Sequence, residues 1–194
     1  MSKYLIFFLL FISCIKEDSR TADNYYEKNN FNKAIELYNK VIELKPNDIK
    51  SIYRRARSYE ELKKYDLSFK DFNRVLKLDK NNSNATLSIA IHHIRKSNYE
   101  LAEMYSNKAI KINSDLYQSY FTLGRSLQYQ GKFLDAIQAF NTSISINNNY
   151  SNSYYYLGLI YLKLKNDKKA CENFSIAVSL KNEDAIKIKK KYCY

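Results

Sequence analysis

Residues 120–148 read YFTLGRSLQYQGKFLDAIQAFNTSISINN, and residues 154–182 read YYYLGLIYLKLKNDKKACENFSIAVSLKN. A shift of 34 lays Tyr120 on Tyr154, Leu123-Gly124 on Leu157-Gly158, Ala136 on Ala170 and Phe140 on Phe174. Stepping by the same period divides the chain into 15–48, 49–82, 83–116, 117–150 and 151–184 without an insertion.

The columns of this division test it. A small residue recurs at Ala22, Ala56, Ala90, Gly124 and Gly158, and again at Ala34, Ser68, Ala102, Ala136 and Ala170. Small residues are expected where two helices cross closely, because a larger side chain overpacks by about 1–3 kcal/mol. A bulky column reads Tyr38, Phe72, Ser106, Phe140, Phe174, with a lapse at Ser106. Two apolar columns follow, Ile42, Leu76, Ile110, Ile144, Val178 and Leu44, Leu78, Ile112, Ile146, Leu180. An aromatic column reads Phe31, Tyr65, Tyr99, Phe133 and lapses at Asp167. Apolar residues three to four apart predict amphipathic helices. Each period therefore reads as helix, short turn, helix. Asn and Asp cluster between periods (Asn47-Asp48, Asn81-Asn82, Asn113 to Asp115, Asn147 to Asn149, Asn182 to Asp184), where they end one helix and cap the next. Thr86, His93 and Ser106 replace bulky residues in the third period, which is expected to be locally less stable. Arg55 stands where Leu is usual, and its stem is expected to pack while its head reaches solvent.

A 34-residue period carrying aromatic-x2-Leu-Gly and then Ala-x3-Phe resembles the tetratricopeptide repeat. The resemblance covers 15–184 and is most specific in the last two periods. It implies an all-α fold, a solenoid of five helix-turn-helix repeats. It also implies a protein-binding scaffold in which the first helices line a concave groove for a peptide or helix. On that footing the groove holds Lys50, Tyr53, Arg54 and Arg57, then Leu87 and Ile91, then Gln118, Phe121, Arg125 and Gln128, then Asn152, Tyr155 and Leu159. Aromatics and Arg are the side chains most often found as binding hot spots. One subfamily grips a partner's C-terminal carboxylate with a clamp spread over three repeats. Lys50 and Arg54 resemble its cationic half, but the companion amides are absent, the preceding repeat offering Ser19, Arg20 and Asp23. A looser expectation is that Lys50, Arg54, Arg57 and Arg125 hold an acidic or C-terminal segment.

One Pro and three Gly in 194 residues favour long helices. The formal charge of +12 points either to acidic partners or to a solvated Lys-rich convex surface. No Gly-rich phosphate loop, HExxH or nucleophile motif occurs, so an enzyme is not expected, and neither is a cofactor or a metal. His92 and His93 are adjacent and diverge on a helix. Cys171 and Cys193 read as independent thiols, with a bridge open if the last helix folds back.

The N-terminal MSKYLIFFLLFISC carries Lys3 and an apolar run from Tyr4 to Ile12, too short to span a bilayer as a helix and suited to a signal peptide over 1–13. Phe11-Ile12-Ser13-Cys14 resembles a bacterial lipobox, which implies lipidation at Cys14 and a lipoprotein on the exported side of the cell envelope. A secretory signal cut elsewhere and an uncleaved anchor are the other readings. Residues 185–194, AIKIKKKYCY, place Ala185, Ile188 and Tyr192 on one helical face, as a C-terminal solvating helix would; the other reading is a basic tail. The expected function is a membrane-anchored, non-enzymatic adaptor that binds a protein or peptide, with no nucleic-acid role. The alternative is a surface lipoprotein binding a polyanion through its basic face.

Overall fold

The computed structural model describes residues 19–193, so the signal segment, Cys14 and the start of the first period lie outside the described residues. Among the described residues there are eleven helices and no strand. Helix α1 is described over 19–27. It is followed by α2 (Phe31–Leu44), α3 (Ile49–Glu61), α4 (Tyr65–Leu78), α5 (Ser83–Arg95), α6 (Tyr99–Ile112), α7 (Tyr117–Tyr129), α8 (Phe133–Ile146), α9 (Ser151–Lys163), α10 (Asp167–Ser179) and α11 (Glu183–Tyr192). Helix starts at 31, 65, 99, 133 and 167 keep the 34-residue step. Packing divides the chain after Ser88, within α5, into two units. The fold class is the all-α solenoid of helix pairs expected from the columns.

The turn inside each pair is built the same way five times. Asn29, Lys63, Ser97, Gly131 and Lys165 have positive φ between 57° and 76°. At each, the next residue's N–H donates back to a carbonyl five residues earlier, as Lys64 does to Tyr59, Asn98 to His93 and Lys132 to Leu127. This closure satisfies the carbonyls left open at a helix end, and it needs a left-handed residue. Only Gly131 adopts that conformation without a Cβ penalty. Between pairs, Asp48, Asn82 and Asn182 accept backbone N–H bonds from Ser51, Ala85 and Ala185, the caps the Asn/Asp clusters predict. Asp79, Asn113 and Asn147 each accept an N–H two residues on, a local turn repeated at the same period.

In the first unit, the core is Tyr38, Val41, Ile52, Phe72 and Val75, with Ala22, Ala34 and Ala56 wholly buried at the crossings. Arg55 departs from its expectation. It forks onto Asp71 through Nε and Nη2, both at 2.7 Å, and donates to Asn39 at 2.8 Å. Its head is enclosed with a buried carboxylate rather than in solvent. In the second unit, Phe140 and Phe174 are fully buried, and each ring lies on the glycine of its partner helix. A Cβ on Gly124 would stand 2.8 Å from the Phe140 ring, and one on Gly158 2.4 Å from that of Phe174. The third pair instead buries Ala90 and Ser106, and the Ser106 hydroxyl finds no partner.

Two further differences stand out. The column of Leu44, Leu78 and Ile146 is largely solvent-exposed at the ends of its helices, so the apolar stripe is shorter than the columns suggest. A third small column, Ser51, Ala85, Ser119 and Ser153, is fully buried at the start of the first helices, although its serines carry no apolar signal in the sequence. Ser153 shows its role: its hydroxyl meets that of Ser143 at 2.9 Å, where α9 crosses α8. Finally, Cys171 and Cys193 form a disulfide with Cα atoms 5.6 Å apart, correcting the reading of two independent thiols. The bridge joins the end of α11 to α10, and Ala185 is buried on the face α11 presents.

Candidate peptide-binding face

In the first unit, the cationic cluster on α3 is already matched by acids of the same chain. Lys50 Nζ lies 2.6 Å from Asp23 Oδ2, and Arg54 Nη1 lies 3.3 Å from Asp23 Oδ1 and 3.7 Å from Glu27. The buried Tyr38 hydroxyl donates to Asp23 Oδ1 at 2.8 Å, and burial followed by this carboxylate pushes its pKa up. The Arg54 guanidinium also lies 5.3 Å over the Tyr26 ring. Arg57 pairs with Glu60 and, at 3.7 Å, with Glu61. The cations resembling half of a carboxylate clamp thus hold a carboxylate belonging to α1. Tyr53 is half-buried edge-on to Phe72, and Leu87 is buried.

The second unit differs. Phe121, expected on the groove surface, is buried, 9% exposed, against Phe140, Tyr150 and Tyr156. It is core, because Tyr150 and Tyr156 of the following pair close over it. Ile91, Tyr155 and Leu159 remain half-buried. Arg125 lies between two rings, its Cζ 5.0 Å from the centroid of Tyr156 and 5.6 Å from that of Tyr129. Its Nη2 donates to the Tyr129 hydroxyl at 3.0 Å. Among the described residues no carboxylate pairs with it, and its Nε is enclosed without an acceptor. On the same helix, the side-chain oxygens of Gln118 and Gln128 are likewise enclosed without partners. Asn152 is engaged by Asn182 at 2.9 Å. Burial raises the pKa of Tyr155 and Tyr156, and the carboxylate of Asp184 on α11 adds to it in both.

Helix α7 therefore carries one unneutralised guanidinium held by aromatic rings of α7 and α9, and α9 also holds the half-buried Tyr155 and Leu159. Tyr129, Tyr156 and Asp184 are absent from the residues to which the sequence points. Among the described residues no group of three His, Cys, Asp or Glu side chains could hold a metal ion, and no helix is long and apolar enough to cross a membrane.

Family models described as TPR repeat and tetratricopeptide repeat match residues 22–63, 49–82 and 121–185. The chain is a tetratricopeptide-repeat protein. Its fold is similar to several solved tetratricopeptide-type structures. One is MamA 41-end from Desulfovibrio magneticus RS-1, with a TM-score of 0.77 at 17% identity, covering 86% of this chain and 94% of that one. A second MamA crystal structure has a TM-score of 0.73 at 21% identity, covering 93% and 96%. YrrB, described as a TPR protein with an unusual peptide-binding site, has a TM-score of 0.71 at 20% identity, covering 93% and 97%. At these identities the likeness is one of fold. No curated protein matches the sequence. The tetratricopeptide repeats of this chain thus combine a first unit whose α3 cations Lys50, Arg54 and Arg57 are internally paired with a second unit in which Arg125 meets no carboxylate.

Proposed function

We propose that this tetratricopeptide-repeat protein is a membrane-anchored, non-enzymatic adaptor that holds an extended segment of a partner protein along its first helices. The observation that carries the reading is Arg125 on α7, held by two rings with no carboxylate of its own chain, while α9 keeps Tyr155 and Leu159 half-buried. Half-buried aromatic, aliphatic and guanidinium groups in a row suit peptide recognition. The anchor rests on the apolar run from Tyr4 to Ile12 and on Cys14. The Cys171–Cys193 bridge supports an exported chain, since disulfides persist in oxidising compartments.

A photo-crosslinker at Leu159 tests the binding face, with the exposed Leu134 of α8 as the control position. Adducts with a discrete partner from Leu159 and none from Leu134 are expected; equal labelling from both would remove the reading. Binding that collapsed with added salt would instead indicate a polyanion. Labelled palmitate incorporation that is lost in Cys14→Ala tests the anchor.

A further inference from the structure

We propose that the Arg125 site reads an aspartate or glutamate side chain within the bound segment, and that it alone supplies this selectivity. The inference rests on the peptide-binding reading above and names what that face selects.

Two observations lead to it. First, the other binding-face cations are occupied. Asp23 takes Lys50 and Arg54, and Glu60 and Glu61 take Arg57. An incoming carboxylate there would compete with one that is already engaged. Second, Arg125 is held without being neutralised. Tyr156 and Tyr129 flank the guanidinium, and the Tyr129 hydroxyl occupies only Nη2. Aromatic faces attract a cation but leave its in-plane N–H donors free, and two such donors match the fork of a carboxylate.

Position along the chain favours an internal residue over a chain terminus: α9 and α11 follow α7, so an extended segment lying along the first helices continues past Arg125.

The test is selection from a random dodecapeptide library displayed on phage, against wild-type protein and Arg125→Gln, with helicity checked by circular dichroism. Wild-type selections are expected to enrich Asp or Glu at one position. Glu→Gln in a selected peptide should weaken binding about 10- to 100-fold, as loss of a charged hydrogen-bond pair does. Arg125→Gln should abolish the acidic preference while still binding peptides, and Arg125→Lys should restore it only in part, since an ammonium lacks the planar fork. Lys50→Gln should leave the preference unchanged. Groove binders without acidic preference, or a preference that survives Arg125→Gln, would overturn the inference and leave the peptide-binding reading standing. Peptides that bind only through a free C-terminal carboxylate, and fail when amidated, would overturn the internal placement. Selections in which no binder is weakened by Leu159→Asp would overturn the peptide-binding reading itself.

Discussion

Replacing Gly158 by alanine puts the packing of the last pair at risk in a way that a truncation does not. An added Cβ would lie 2.4 Å from Phe174 Cε1, 2.6 Å from Cδ1 and 2.9 Å from Cζ. Carbon atoms pack at about 3.5–4.0 Å, so the ring has to retreat by roughly 1 Å. Phe174 is fully buried and lies against Tyr155, so it has little room to do so. Overpacking of this kind costs about 1–3 kcal/mol. The change also removes a glycine from the middle of a helix, which by itself stabilises by about 0.8–1.0 kcal/mol. The two effects have opposite signs. A net loss of up to about 2 kcal/mol is expected, measured by urea denaturation followed by circular dichroism. Gly124→Ala, whose Cβ would stand 2.8 Å from the Phe140 ring, should lose less. In a Phe174→Leu background the added methyl meets no ring, so Gly158→Ala should become neutral or stabilising. The coupling between the two sites should approach about 2–3 kcal/mol. A Gly158→Ala protein more stable than wild type, or a cycle without coupling, would refute the reasoning.

Other expectations follow from the turns, the bridge and a half-buried histidine. Lys63, at φ 57°, should be improved by Lys63→Gly by about 0.5–1 kcal/mol, because the left-handed penalty exceeds the entropy glycine adds. Gly131→Ala, with no atom within 4 Å of the new Cβ, should destabilise through φ alone, and urea midpoints read both. Cys193→Ser opens a loop of 22 residues' separation and should lose about 3 kcal/mol. Since repeats stabilise chiefly their neighbours, hydrogen exchange should quicken in α11 and α10 while α7 stays protected. Burial pushes His93 below its ordinary value of 6.5. Its neutral form is therefore favoured by folding, with that contribution present above the unfolded value and lost as pH falls through the lower folded value. Urea midpoints taken on acidification from neutral pH should show a decline that His93→Phe reduces.

The sequence makes some of these features legible and hides others, and the difference follows the distance between partners. The columns mark Phe140 and Phe174 as core and the crossing residues as small, and both readings hold in the folded chain. Asp48, Asn82 and Asn182 are recognisable as caps because capping is a contact between residues three apart. Phe121 lies on the expected helical face but is buried, because its cover comes from Tyr150 and Tyr156, about one repeat later. Arg55 reads as solvent-facing because its acceptor, Asp71, lies 16 residues away on another helix. The cationic cluster likewise has the expected members. That Asp23 already holds Lys50 and Arg54 depends on how α1 and α3 lie together.

The sequence by itself determined the helical period, the position of each turn and the main columns of small and bulky residues at the helix crossings. These follow from backbone geometry and from spacings within 34 residues, and such information is local. Tertiary structure decided which charges are free. A guanidinium at Arg54 and one at Arg125 look alike along the chain, and only the helix packed beside each settles whether it meets a carboxylate or a ring. It also decided that Cys171 and Cys193 are bonded, since that required α11 to fold back until two Cα atoms stood 5.6 Å apart. Pairing of charge and of sulfur depends on distance in space, which the order of residues specifies only after the helices have packed.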